Sequence, residues 1–144
     1  MDLSIPQFPN SQKDPFKITS PAIPQYNCIA WAYGVSNVRM WPSTFNFYWP
    51  SNISNNEKIS SFIELYKSIG YEVCDDDSLE YGYEKVAIFE LNGNATHASR
   101  QLKNGDWTSK LGWQPGVSFD VSHTIESISN GYYGDVSIYM KRNL

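Results

Sequence analysis

Residues 85–112, KVAIFELNGNATHASRQLKNGDWTSKLG, carry the clearest structural signal of the chain. Asn-Gly pairs at 92–93 and 104–105 are typical of turns that join neighbouring antiparallel strands. The segment before the first turn is rich in β-branched and aromatic residues, which favour strands, so the stretch predicts a β-meander. The predicted strands span residues 71–73, 85–91, 95–103, 106–112 and 135–141.

Helical signals dominate the first half of the chain. Residues 25–34 (QYNCIAWAYG) predict a short buried helix, with Asn27 as its N-cap and Gly34 as its C-terminal stop. Apolar residues three and four positions apart predict a second helix over about residues 57–69, and a third is predicted over residues 120–128. Because helices come first and antiparallel strands follow, the expected fold class is α+β, with N-terminal helices on a mainly antiparallel sheet of four to five strands.

Length and composition favour a single domain over residues 1–144. Domains usually contain about 100–150 residues, and the chain has 144. An aromatic content of 15% argues against intrinsic disorder. Residues 1–24 hold five of the 8 prolines and several apolar side chains, so they predict an extended arm that packs on the body of the domain.

Charge and hydropathy narrow the classes of partner. The net charge of −4 and the pI near 5.0 give no basic excess, so no nucleic-acid partner is expected. No segment approaches the ~20 apolar residues of a membrane helix, so no membrane partner is expected either. Without a visible secretory signal the expected location is the cytoplasm, although export by a route without such a signal stays open. The expected oligomeric state is a monomer.

Cys28 is the strongest candidate for chemistry. It stands directly after the predicted N-cap, where unpaired N–H groups and the positive end of the helix dipole favour a thiolate. A thiolate is the nucleophilic form of cysteine. The alternative is a buried cysteine that acts as a small apolar residue.

His97 is one of only 2 histidines and lies within a predicted strand. A buried imidazole needs a partner, because its ordinary pKa near 6.5 makes burial of the charged form costly. Facing a cysteine, such a histidine takes the thiol proton and later returns it to the leaving group. The alternative is a structural histidine whose hydrogen bonds are satisfied.

Short motifs around these two residues resemble the papain-like cysteine hydrolases. The motifs are NCIAWA at residues 27–32 and HA at residues 97–98, and the resemblance is to the small bacterial branch with NlpC-type and CHAP amidases. The runs HASRQL (97–102) and WTSKLG (107–112) are similar to an uncharacterised bacterial family of this class. The resemblance spans roughly residues 25–142 and implies a papain-like fold, a nucleophilic thiol at Cys28 and a base at His97.

The residue that orients the histidine is left open. If residues 104–105 form a two-residue turn, the register places Lys110 diagonal to His97, and a lysine cannot accept the imidazole N–H. A shift of one residue brings Ser109 to that face instead. Asp120, ahead of the third helix, is the other candidate. Both remain open.

An oxyanion hole needs hydrogen-bond donors aimed at the developing negative charge. The backbone N–H of Cys28 is the first candidate, and the side-chain amides of Gln25 and Asn27 are further ones. Lys110 is a candidate for substrate binding. For Asn27 the competing interpretation is its role as the helix cap.

Other constellations are weaker. Cys28, Cys74, His97 and His123 include the residue types of a zinc site, but no pair has the close spacing of structural zinc ligands. The acidic run Asp75-Asp76-Asp77 lacks the pattern of an EF-hand calcium loop. No metal and no cofactor are expected.

The main hypothesis is a thiol-dependent hydrolase that cleaves or exchanges an amide bond through an acyl-enzyme, with a peptide or other amide-containing substrate. Peptidase, amidase and deamidase activity share this chemistry. One alternative is a non-catalytic domain that binds a protein partner through the aromatic loop at residues 41–54. Another is a toxin-type hydrolase with a different substrate.

Overall fold

The strands of the described residues form one antiparallel sheet. The computed structural model describes residues 2–21, 23–112 and 119–144. The elements, in chain order, are β1 (Asp2–Leu3), a 3-10 helix (Pro9–Gln12), β2 (Phe16–Ser20), α1 (Cys28–Tyr33), α2 (Ile59–Lys67), β3 (Glu72–Cys74), β4 (Tyr83–Leu91), β5 (Asn94–Gln101), β6 (Trp107–Leu111), β7 (Phe119–His123), α3 (Ile125–Ile128) and β8 (Asp135–Asn143). Across the described sheet the strand order is β1-β2-β7-β6-β5-β4-β8-β3.

The predicted fold class, a papain-like α+β domain with N-terminal helices on four or five strands, is wrong. The described chain has an eight-stranded antiparallel sheet, and helices make up only about 17% of it. Of the described α-helices only α2 is longer than six residues. The sheet therefore dominates the architecture, with α1 and α2 on one face and α3 and the 3-10 helix on the other.

The N-terminal arm supplies two of the additional strands. β1 pairs with β2, and β2 pairs with β7, so the arm extends the sheet beyond the meander. Phe8 and Phe16 are buried with their ring centroids 5.4 Å apart. Prolines bracket Phe16–Ser20 without interrupting it, which leaves every N–H of this strand free to pair.

Residues 119–123 form a strand where a helix was predicted. Val121 and His123 both point to the interior, as the two-residue period of a strand requires. The helix begins only after Thr124, whose hydroxyl accepts a hydrogen bond from the N–H of Ser127 at 3.1 Å. The N-cap of this helix is therefore Thr124, four residues after the predicted start at Asp120.

The two faces of the sheet pack against different parts of the chain. The helix face, formed by Val86, Ile88, Ala98 and Met140, packs against α1 and α2. The arm face, formed by Ala87, Phe89, Trp107 and Val121, packs against Phe8 and Phe16. Neighbouring residues on a strand point to opposite faces, so position along β5 decides which layer a side chain enters.

Candidate active site

Helix α1 begins at Cys28, as predicted. The Asn27 side chain caps it, because Oδ1 accepts a hydrogen bond from the N–H of Ala30 at 3.2 Å. Gly34 ends it with a φ of 98°, a left-handed conformation that favours glycine. The predicted capping residues of this helix are therefore confirmed.

The side chain of Asn27 makes three structural hydrogen bonds. Its Oδ1 also accepts from the N–H of Met40 at 3.0 Å, and its Nδ2 donates to the carbonyl of Met40 at 2.7 Å. The amide thus ties the start of α1 to the loop that follows the helix. One of the two N–H groups of Nδ2 is used in this way, and the role of Asn27 in an oxyanion hole stays a prediction.

Replacing Asn27 with Ala is expected to lower the free energy of unfolding by about 2–3 kcal/mol, the sum of a lost cap and two lost hydrogen bonds. Asn27→Ser is the matched control, because serine caps a helix but does not reach Met40, and its loss is expected to be intermediate. Urea denaturation measures both. Equal stability of Asn27→Ala and the parent chain would contradict this assignment.

The thiol of Cys28 is turned toward the helix face of the sheet. The backbone N–H of Ala98 on β5 points at it, together with the N–H groups of Cys28 and Ile29 at the start of α1. Burial nevertheless raises the pKa of the thiol to about 11, because desolvation outweighs these donors. The expectation that the helix start lowers this pKa is wrong. At neutral pH Cys28 is a thiol.

His97 lies on β5, with its imidazole on the arm face. It is fully buried and stacks on the ring of Tyr133, with centroids 4.0 Å apart and planes 5° from parallel. Phe89 packs edge-on against the same imidazole at 5.4 Å. Both aromatic neighbours fix the plane of the ring.

A chain of hydrogen bonds holds one edge of that imidazole. Nε2 of His97 lies 2.9 Å from Oγ of Ser109, and the same oxygen lies 2.6 Å from Nε2 of His123. Nδ1 of His123 is 2.8 Å from the carbonyl of Thr124. Since a carbonyl only accepts, Nδ1 of His123 carries the proton and its Nε2 accepts from Ser109.

The direction of this chain determines the tautomer of His97. The only proton of the Ser109 hydroxyl goes to His123, so Ser109 accepts from Nε2–H of His97. The proton therefore sits on Nε2, and Nδ1 presents a lone pair. Nδ1 has no hydrogen-bond partner among the described residues.

Both histidines are neutral at physiological pH. Burial lowers the pKa of His97 well below its usual value, and the nearby His123 lowers it further. Burial also lowers the pKa of His123 to about 4, partly opposed by the Thr124 carbonyl and Asp14. A neutral imidazole with a free lone pair is a general base.

The thiol and the imidazole lie on opposite faces of β5. Strands β5 and β6 pair at Arg100↔Thr108 and Gln101↔Trp107, and no further pair joins them among the described residues. The N–H of Ala98, beyond this point, is turned to Cys28. Cys28 thus reaches the strand beside His97 from the helix face, and no direct contact joins its thiol to Nδ1.

The register of this hairpin decides between the two candidates for the orienting residue. It differs by one residue from the two-residue-turn prediction, because the chain turns through Leu102–Asp106. Ser109 therefore lies on the arm face with His97, and Lys110 does not. Asp120 faces the opposite side, so the structure brings Ser109 to the imidazole and leaves Asp120 away from it.

The remaining predicted residues lie on or beyond the helix face. Asp120 accepts hydrogen bonds from the hydroxyls of Ser20 and Tyr26, both at 2.5 Å. The ammonium of Lys110 is 3.8 Å from Asp120 and 4.1 Å above the Tyr26 ring. Gln25 is exposed at the surface before α1.

Two residues of this site were missed by sequence reasoning, namely His123 as the end of the hydrogen-bond chain and Tyr133 as the stacking partner. The hydroxyl of Tyr133 also accepts from the N–H of Gly112 at 3.0 Å. If residues 119–123 had been predicted as a strand, the two-residue period would have placed His123 on the same face as Val121, the arm face.

The described residues contain no group of three or more His, Cys, Asp and Glu side chains placed to hold a metal ion. None of their helices has the length and apolar character needed to cross a membrane. Residues 17–141 match a family described as a domain of unknown function (DUF7689). No curated protein and no solved structure matches the chain.

Proposed function

Since the chain belongs to the DUF7689 family, a domain of unknown function, we propose a function from the geometry of the candidate site. The proposed activity is thiol-dependent hydrolysis or exchange of an amide bond, with Cys28 as nucleophile and His97 as general base. One observation carries the proposal. Nδ1 of His97 is buried and holds a lone pair without a described partner, while Nε2 is held by Ser109. Buried polar atoms are normally hydrogen-bonded, and an unsatisfied one costs about 1–3 kcal/mol.

The position of Cys28 supports the same proposal. Its thiol meets the backbone N–H of Ala98, the residue next to His97. Burial raises the pKa of Tyr133, the residue stacked on the imidazole, and a charge on the Cys28 sulfur raises it further. Cys28 thus approaches β5 from the helix face, beside the strand residue whose imidazole and stacking partner Tyr133 lie on the arm face.

The proposed reaction starts from a neutral thiol and a neutral imidazole. Sγ of Cys28 attacks the substrate carbonyl carbon as its proton passes to Nδ1 of His97, which requires the two groups to close to hydrogen-bond distance when substrate binds. The tetrahedral oxyanion meets the N–H groups of Cys28 and Ala98. The imidazolium then protonates the departing amine, which leaves a thioester that water or another nucleophile cleaves.

Acyl transfer from p-nitrophenyl acetate tests this proposal without knowledge of the natural substrate. The Sγ–carbon bond forms, the ester bond breaks, and the thiol proton leaves with p-nitrophenol. Mass spectrometry is expected to locate the acetyl group on Cys28, and His97→Gln is expected to slow its appearance about 100-fold. Cys28→Ser is expected to abolish it.

Cys74 provides the internal control, because it is the second cysteine of the chain and lies on β3, at one edge of the sheet. Cys74→Ser is expected to leave acetylation of Cys28 unchanged. If Cys28 reacts no faster than Cys74 and His97→Gln changes nothing, the proposed function is wrong.

A second candidate is a non-catalytic domain that binds a protein. The side chain of Phe45 is fully exposed on the loop at residues 41–54, and Tyr48 on the same loop is half exposed. Exposed aromatic residues are common anchors of interfaces. Failure of Cys28 to form an acyl-enzyme, with the loop still exposed, favours this candidate.

A further inference from the structure

Lys110 is a buried cation without a close partner. Its side chain is about 1% exposed, and Nζ has no hydrogen-bond acceptor among the described residues. Burial of an ammonium is costly unless its charge and its N–H groups are compensated. The described contacts of Lys110 therefore leave the N–H groups of its ammonium without an acceptor.

Asp120 compensates Lys110 only in part. The distance from Nζ to Oδ2 of Asp120 is 3.8 Å, too long for a hydrogen bond. The same Oδ2 already accepts from the hydroxyls of Ser20 and Tyr26. The Tyr26 ring, 4.1 Å from Nζ, attracts the charge through its face but offers no acceptor for the N–H groups.

Lys110 lies beside the start of α1, the helix that carries Cys28. Its neighbour on the same face of β6, Thr108, accepts a hydrogen bond from Trp31 of α1 at 2.9 Å. Lys110 contacts Tyr26, two residues before Cys28. The two pairs of the hairpin, continued by two residues along each strand, set Lys110 opposite Ala98, whose N–H meets the Cys28 thiol.

We propose that Lys110 binds a carboxylate of the substrate next to the bond that Cys28 attacks. The inference rests on the proposed function and adds the substrate class, namely amides that carry an anionic group close to the scissile bond. A carboxylate supplies both the charge and the acceptor oxygens that Nζ lacks. A neutral substrate would leave the ammonium as it is.

Two alkylating reagents of similar size separate the charge effect from thiol reactivity. Iodoacetate carries a carboxylate and iodoacetamide a neutral amide, and both react with the same thiolate. The ratio of their rates at one cysteine therefore cancels the pKa of its thiol. In the parent chain this ratio is expected to be about tenfold higher at Cys28 than at Cys74, the size of one charge-assisted hydrogen bond.

Acetate ions give a test that needs no variant. Added sodium acetate is expected to slow the reaction of iodoacetate with Cys28 more than that of iodoacetamide, while sodium chloride at the same ionic strength is expected to have a smaller effect. Equal slowing of both reagents by acetate would overturn the proposal.

Variants of Lys110 complete the test. Lys110→Met keeps the length of the side chain and removes its charge, so the ratio at Cys28 is expected to fall to that at Cys74. Lys110→Arg is expected to retain a raised ratio, and Asp120→Asn to increase it, because the competing carboxylate is lost. Circular dichroism checks the fold of each variant.

The outcomes distinguish this inference from the proposed function. If Cys28 forms the His97-dependent acyl-enzyme but shows the same ratio as Cys74, the inference is wrong and the proposed function stands. If Cys28 forms no acyl-enzyme and reacts with neither alkylating reagent, both are overturned.

Discussion

Acidification from pH 7 to about pH 4 is expected to remove at least about 3 kcal/mol from the free energy of unfolding, because the native state holds His123 neutral. Burial lowers the pKa of His123 from 6.5 to about 4, and that of His97 is lowered in the same direction. The unfolded chain binds protons near pH 6.5, whereas the native chain does not. Stability is therefore full above that pH and falls as the pH drops toward the native values.

Urea denaturation at a series of pH values measures this effect. His123→Gln is the matched variant, since glutamine can accept from Ser109 and donate to the Thr124 carbonyl without titrating. Its stability is expected to fall less between pH 7 and about pH 4, by an amount close to the His123 contribution. Asp76, whose pKa is lowered to about 2 by its hydrogen bonds to Ser78 and Lys85, titrates below this window. Identical pH profiles of the parent chain and His123→Gln would contradict the neutral hydrogen-bond chain.

The same titration is expected to stop the chemistry. A proton on Nδ1 removes the lone pair with which His97 acts as a base, and a proton on Nε2 of His123 prevents it from accepting from Ser109. Activity and stability are thus expected to decline together in acid, which links the buried histidines to both properties.

Local signals in the sequence were sufficient for the start of α1 and for most of the meander. Asn27 and Gly34 carry capping chemistry that depends on neighbouring residues alone, and the helix has the predicted ends. Strand β4 was equally clear, because a run such as KVAIFEL fits a strand buried on both faces.

Long-range pairing accounts for the elements that were missed. Strands β1 and β2 exist because β7 offers its edge to the arm, and β7 itself lies between β2 and β6. A short stretch of sequence does not show which distant strand will pair with it. A helix was predicted over residues 120–128, but Phe119–His123 pairs with β2 on one edge and β6 on the other and is a strand.

The residues that surround His97 depend on the register between β5 and β6. A two-residue turn would have placed Lys110 on the face of His97, whereas the longer turn at Leu102–Asp106 places Ser109 there. A shift of one residue exchanges every side chain between the two faces. The pKa of Cys28 was missed for a different reason, because burial is a property of the folded chain and not of the helix start.

Gly134→Ala is expected to be the most destabilising single substitution near the site, with a loss of about 3 kcal/mol or more. A Cβ built at Gly134 lies 2.1 Å from the carbonyl oxygen of Glu90, and its φ of 80° adds strain for any other residue. Because the obstacle is backbone in the β4–β8 ladder, no rotamer change relieves it. The preceding residue, Tyr133, stacks on His97, so any shift of this segment reaches the imidazole.

Substitutions at two other glycines separate the effect of the steric contact made by the added Cβ from that of the backbone strain at positive φ. Gly93 has a similar φ of 86° and nothing within 4 Å of its built Cβ, so Gly93→Ala is expected to cost only about 1–2 kcal/mol. Gly131 has a φ outside the left-handed region, but its Cβ would lie 2.7 Å from the carbonyl oxygen of Gln7, so Gly131→Ala reports the contact alone. Thermal unfolding ranks the three variants, and a Gly134→Ala chain as stable as Gly93→Ala would show that β8 does not approach β4 as closely as described. Because the segment 131–134 carries Tyr133, Gly131→Ala and Gly134→Ala are also expected to slow acetylation of Cys28. Gly93→Ala, at the turn before β5, is expected to change stability alone.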